Sequence, residues 1–279
     1  MIAYDVADQV ATITLDRAAE LNTYNIALKD ALMAAFDRAD ADDDVRVVVV
    51  TGSGKAFCAG MDLSPGPQTF ARLDEPEADR LRDSGGELAV RIFNCTKPVI
   101  AAINGAAVGI GVTMTLPMDI RLASDRARFG FVFAQRGIVL ESCSTWFLPR
   151  VVGVSQALEW SFTGRVFDAA EALRTGLVSA VHPPEELLPA AYSLAAQIKQ
   201  ASPVSVALNR QMVWRMLGEP HPMAANIVES RAMYLRGLSP DSTEGVASFF
   251  DRRDAAFTGT VPADLPDVFP GRVEPPFTT

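Results

Sequence analysis

Cysteine and histidine are scarce in this sequence: Cys58, Cys95 and Cys143, with His182 and His221, are the whole supply in 279 residues. No cysteine pair has CxxC spacing, which excludes a zinc site of the usual kind, and no other metal site is expected. At this length three scattered thiols do not build a disulfide framework, so a reducing, cytoplasmic setting is expected. Positive charge is also in deficit. The net charge is −9 with no basic face in view, which argues against nucleic acid as a partner. The N-terminal MIAYDVADQ has neither a basic segment nor an apolar run, so no secretory signal is expected. Long apolar runs are rare too. Residues 98–118 carry no charge and have the length of a bilayer span. Asn104, several glycines and Pro117 interrupt them, and Asp119 follows at once. They read as a buried strand-turn-helix rather than a membrane segment.

What is present is core-forming material. Apolar residues make up 49% of the chain and charged residues 21%, a globular composition. Ile2 to Leu15 alternates apolar and polar residues around a turn at Ala7-Asp8, predicting a β-hairpin. Asn25 is a candidate cap for a helix through about Ala41, with Leu28, Leu32 and Phe36 on one stripe. Arg46 to Thr51 reads as a strand buried on both faces, because its valines do not alternate. Val99 to Ile103 and Ile120 to Ala123 are further strands. Helical patterns between them give an α/β centre with crossover connections. Residues 64–86 break this rhythm: three prolines, dense charge and little periodicity predict a variable surface insertion, with some helix near Pro76 to Arg82. After Ser202 the strands stop. Pro203 to Leu217, Met223 to Arg236 and Asp241 to Ala256 read as helices, so residues 1–201 are expected as the core and 202–279 as a helical oligomerisation region.

Chemistry gathers around VVVVTGSGKAFCAGMDL, Val47 to Leu63. A phosphate loop needs GxxxxGK followed by Ser or Thr; Ala56 follows Lys55, and Val49 holds the first glycine position. A dinucleotide fingerprint fails at Gly109-Ile110-Gly111, where the third glycine is missing. Cys58 lacks a nearby histidine and reads as a small buried thiol. Backbone donors are the remaining reading. Gly60 sits in a turn after a buried strand and leaves the Met61 amide free. A second cluster, NGAAVGIG, follows another buried strand and opens a helix, where N–H groups lack partners. Two such turns face to face would make a two-amide oxyanion hole. The spacing alone equally describes ordinary strand-to-helix turns.

The pairing of KAFCAGMDL (Lys55 to Leu63) with KPVIAAINGAAVGIG (Lys97 to Gly111) resembles the crotonase superfamily of enoyl-CoA hydratases and isomerases. DRAAELNTYN, MDIRLASDRARFG, TGRVFDAAEALRTGLVSAV and EGVASFFDRRDAAFTG match in the same order. The resemblance implies a spiral of repeated ββα units with a helical C-terminal part, assembled as a trimer or hexamer. It implies an acyl-CoA thioester substrate and no separate cofactor, coenzyme A being part of the substrate. By position the two amides are those of Met61 and Ile110, with Gly60 and Gly109 shaping their turns and Ala59 near the CoA adenine. The family's two hydratase glutamates fall at Thr113 and Phe133, which supply neither base nor acid. One carboxylate stands elsewhere, in GIVLESCSTWFLPR. Glu141 matches the position of a catalytic glutamate in peroxisomal enoyl-CoA isomerases; without the family it would read as an exposed first-turn glutamate.

The resemblance therefore implies enolate chemistry with Glu141 as acid/base, most simply double-bond isomerisation. Hydration, another lyase or hydrolase reaction, and a catalytically silent acyl-CoA-binding scaffold are the alternatives. Thr113 is a candidate substrate or water contact. Phe133 and Trp146 are expected to wall the acyl pocket, with core packing an equal reading, and to bury Glu141 together with Phe147. Asp62 and Asn104 are expected to hold turns beside the substrate, and Arg252 and Arg253 to lie on a solvated helix face. The balance of burial and helix dipole on Glu141 is not readable from sequence.

Overall fold

β1 (Ile2–Ala7) and β2 (Val10–Leu15) form the expected hairpin. Its two-residue turn falls at Asp8 and Gln9, both with positive φ, the geometry that matches the twist of paired strands. Residues 1–71 and 81–277 are described in this computed structural model. α1 (Ile26–Ala41) starts where Asn25 Oδ1 accepts the Leu28 N–H at 2.9 Å, and it buries Leu28, Leu32, Ala35 and Phe36. At its far end the buried Lys97 ammonium donates to the carbonyls of Ala39 and Asp42, satisfying two orphan acceptors.

Three strand pairs follow. β3 (Val47–Gly52) and β4 (Ala56–Cys58) lead to α2 (Ser84–Phe93). β5 (Val99–Ile103) and β6 (Ala106–Val108) lead to the short α3 (Ile110–Thr113), and β7 (Ile120–Ser124) is followed by β8 (Arg128–Gly130). In each pair the first strand enters one sheet and the second another. With β9 (Val166–Asp168) and β10 (Ala180–His182), the larger sheet runs β1-β2-β3-β5-β7-β10 and the smaller β4-β6-β8-β9. β4, β6 and β8 are parallel, so their C-terminal ends share one edge.

The valine run of β3 is explained by its two neighbours. Val48 and Val50 face the main core between the sheets. Val47 and Val49 face the other way, against Leu187, Ala191 and Ala195 of α7 (Pro184–Lys199). A strand covered on both sides has no polar face to present.

α4 (Ser144–Val152) packs on α5 (Val154–Thr163), whose Trp160 stacks on Phe167 of β9 at 4.0 Å between ring centres, and α6 (Ala169–Arg174) packs against β8 and β9. α8 (Pro203–Met216), α9 (Met223–Gly237) and α10 (Pro240–Asp251) follow, with an apolar cluster of their own around Val204, Leu208, Val228 and Val268. A buried arginine ties α8 to the centre. Arg210 donates to Asp119 at 2.8 Å and to the carbonyls of Ile92, Phe93 and Cys95 at the end of α2. Trp214 Nε1 donates to the other Asp119 oxygen at 2.7 Å.

Two expectations need correction, and a third lies mostly outside the described residues. Ser84, Gly85 and Gly86 belong to α2 rather than to the insertion, because Asp83 caps that helix. The helix expected near Pro76 to Arg82 falls mostly on residues 72–80, outside the described residues. The last helix ends at Asp251, where Arg252 turns left-handed, and not at Ala256. The uncharged stretch 98–118 is β5, β6, α3 and a turn; among the described residues no helix is long and apolar enough to cross a membrane.

Candidate active site

The site begins with a stretch of extended chain. Tyr24 pairs with Met61: the Tyr24 N–H donates to Gly60 O and the Asp62 N–H to Tyr24 O, both at 2.8 Å. In such a parallel pairing the N–H of Met61 itself points to the opposite side. Gly60 precedes it at φ +110°, a region that L side chains rarely adopt, and a Cβ there would lie 3.0 Å from Val108 O.

The second donor stands at the end of the neighbouring strand. β6 runs through Gly109 into α3, whose first residue, Ile110, has no helical acceptor for its N–H. The two turns touch: a Cβ on Gly111 would fall 2.0 Å from Cys58 O, so only glycine admits the contact. Met61 and Ile110 thus present their amides from adjacent ends of two parallel strands.

Glu141 lies on the loop before α4, and its carboxyl turns back onto α3. Oε1 accepts from the Thr113 hydroxyl and Oε2 from the Ser142 hydroxyl. The start of α2 closes the other side. A Cβ on Gly85 would sit 2.1 Å from Glu141 Oε2 and 2.6 Å from Ile110 Cδ1, so carboxyl, Ile110 side chain and α2 backbone meet at one point. Ser142 and Cys143 both take φ 54°, and Ser144 bonds back to Glu141 O through its N–H at 2.9 Å and its hydroxyl at 2.6 Å.

Burial pushes the Glu141 pKa up, the Ser142 and Thr113 hydroxyls pull it down, and the nearby Asp83 charge pushes it up again. The result is about 7 against an ordinary 4.5. A carboxyl titrating near neutrality is suited to taking and returning a proton.

The enoyl-CoA hydratase/isomerase family model matches residues 5–260. The chain belongs to the enoyl-CoA hydratase/isomerase family. It is 41% identical over 257 residues to an enoyl-CoA hydratase of Alternaria alternata, covering 91% of this chain and 85% of that protein. It is 30% identical over 259 residues to the 1,2-epoxyphenylacetyl-CoA isomerase of Escherichia coli, covering 90% and 95%. The crystal structure of an enoyl-CoA hydratase from Bacillus anthracis superposes with a TM-score of 0.83 at 30% identity, covering 92% of this chain and 99% of that one.

Within this hydratase/isomerase fold, the expected residues do not all meet. Ala59, Gly60, Met61, Gly109, Ile110, Thr113 and Glu141 lie along the facing ends of β4, β6 and α3. Ala59 is fixed by donating to Leu21 O at 3.1 Å. Asp62 holds its turn, accepting the Ser64 N–H at 3.0 Å and Arg17 at 3.3 Å, and Asn104 bridges Gly52, Gly54 and Ala56. Thr113 reaches Glu141 rather than standing free for a ligand.

For Phe133 and Trp146 the structure shows core packing, one of the two readings that the sequence left open. Phe133 is buried in the main core. Trp146 packs with Phe93, Phe147 and Trp214 under the Arg150 guanidinium, which stacks 4.0 Å from its ring centre. Around Glu141 stand the Thr113 and Ser142 hydroxyls, the bare α2 backbone at Gly85 and the Ile110 side chain. Cys58 is a buried thiol pushed up to about 12 by desolvation. Arg253 pairs with Glu244 at 2.9 Å on the exposed face of α10.

Sequence reasoning missed Asp83, Gly85 and Ser142. Asp83 followed by Ser-Gly-Gly and ELAVRIF carried a cap-and-helix signal. Nothing local in the sequence points to Gly85 or Ser142.

Proposed function

We propose that the protein isomerises enoyl-CoA thioesters, moving a double bond by one carbon with Glu141 as the single acid/base. The observation that carries the reading is the Glu141 carboxyl, titrating near 7, packed against the side chain of Ile110, whose N–H is one of two free main-chain donors. In the forward sense the Glu141 carboxylate takes a proton from C2 of a 3-enoyl thioester. The C2–H electron pair moves into the thioester carbonyl, and the enolate oxygen is held by the Met61 and Ile110 amides. The Glu141 acid then gives the same proton to C4, and the 2-enoyl thioester is released. Thr113 and Phe133, at the positions that the resemblance gives to the two hydratase glutamates, supply no carboxylate to activate water.

Hydration is the second reading, favoured by the names of the fungal relative and of a 35%-identical (E)-benzylidenesuccinyl-CoA hydratase of Thauera aromatica. Incubation of the purified protein with 3-enoyl-CoA and, separately, 2-enoyl-CoA distinguishes them. Exchange between the two isomers, abolished in Glu141→Gln, is the expected result. A 3-hydroxyacyl-CoA as sole product overturns isomerisation, and tight binding without turnover marks a silent scaffold. Met233 and Tyr234 on α9 and Phe249 and Phe250 on α10, each between 69% and 78% exposed, support self-association, as the trimer or hexamer that the resemblance implies. Sedimentation velocity tests it, and a monomer at micromolar concentration contradicts it.

A further inference from the structure

The reaction above uses Glu141 but not the acid beside it. Asp83 ends the segment ahead of α2. Its Oδ1 accepts the Gly85 N–H at 3.0 Å, and its Oδ2 accepts the Gly86 N–H at 2.8 Å and the Ser142 N–H at 2.7 Å. The last bond spans 59 residues of sequence and lands on the residue after Glu141. Ser142 is fully buried and left-handed, as is the half-buried Cys143 after it. Non-glycine residues keep that conformation only where their surroundings over-determine it. Ser142 thus joins two carboxylates: its N–H goes to Asp83 and its hydroxyl to Glu141.

We propose that Asp83 is a positioning residue for Glu141: by holding the Ser142 N–H it fixes the left-handed turn that presents Glu141 beside Ile110 and Thr113, and it sets a second negative charge behind that carboxyl. The catalytic consequence rests on Glu141 being the acid/base; the positioning does not. Titratable groups around Glu141 come from every packed element. Glu87 of α2 is paired with Lys29 at 2.6 Å. Tyr24, Cys58 of β4 and Cys143 are all pushed up by burial and stay neutral. Asp83 is the charge that acts on Glu141, in the direction of holding its proton.

Asp83→Asn keeps a capping oxygen for α2 and removes the charge; Asp83→Ser does the same with a shorter side chain and serves if the first variant does not fold. The readout is carbon-13 NMR of protein labelled at the glutamate side-chain carboxyls, with the Glu141 resonance assigned by its loss in Glu141→Gln. The expected result is a Glu141 titration midpoint lowered by about 0.5–1 in pH, with the pH–rate profile for isomerisation following it. A midpoint that stays or rises in a folded variant overturns the proposal and leaves Asp83 as a helix cap alone. A midpoint that falls while the rate profile stays upholds Asp83 and overturns Glu141 as the acid/base.

Discussion

The Glu141 carboxyl titrates at about 7 because its burial outweighs the two hydroxyl groups bonded to it, against an ordinary 4.5 in an open chain. Between these two values the folded protein keeps a proton that the unfolded chain has released. Stability contributed by that proton is fully present below pH 4.5 and is lost as pH rises through 7. At about 1.4 kcal/mol per pH unit, the loss amounts to about 3 kcal/mol once the folded carboxyl has ionised. Glu141→Gln keeps the size of the side chain and can still pair with the Thr113 and Ser142 hydroxyls, but it does not titrate. The variant should therefore match the wild type near pH 5 and exceed it by about 2–3 kcal/mol near pH 8. Urea unfolding of both proteins at several pH values measures this, since every other ionisable group cancels in the difference. A difference that is flat with pH, or that favours the wild type as pH rises, refutes the electrostatic account of the site.

Thr113→Val removes a hydroxyl that pulls Glu141 down, so the midpoint of its pH–rate profile should rise above the wild type's, opposite in sign to Asp83→Asn. In Gly85→Ala the new methyl would lie 2.1 Å from Glu141 Oε2 and 2.2 Å from Ser142 Oγ. Turnover should fall about 100-fold with circular dichroism unchanged, as expected for a displaced catalytic group. Arg210→Ala takes the charged partner from the half-buried Asp119, which keeps the Val99 and Trp214 N–H donors, and a donor from three carbonyls; it should cost about 3 kcal/mol in unfolding measurements without moving the rate profile's midpoint.

The fold was readable where patterns are long. The valines of β3 announced a strand covered on both faces, and Asn25 with the stripe behind it announced α1. β4, β6 and β8, at three residues each, are too short to carry a period, yet β4 and β6 carry the two glycine turns. Glycine positions and resemblance were what singled out the amides of Met61 and Ile110 as candidate donors. What surrounds Glu141 was hidden because its partners are distant in sequence: Thr113 lies 28 residues away, and Asp83 acts through a bond spanning 59. The direction of the Glu141 shift was hidden for another reason. Burial and hydrogen bonding oppose each other there, and only the folded arrangement says which is larger.

The claim that an enolate is held by main-chain donors meets its most direct test at position 110. Ile110 is the first residue of α3, a place where proline fits the helix while removing the N–H. The measurement is deuterium entry at C2 of an acyl-CoA in heavy water, followed by mass spectrometry, in Ile110→Pro and in Ile110→Ala, which keeps the N–H. The account predicts that Ile110→Ala exchanges within about tenfold of the wild type, while Ile110→Pro is slower by about 100–1000-fold, the usual cost of one lost oxyanion donor. Equal exchange in the two variants would contradict it.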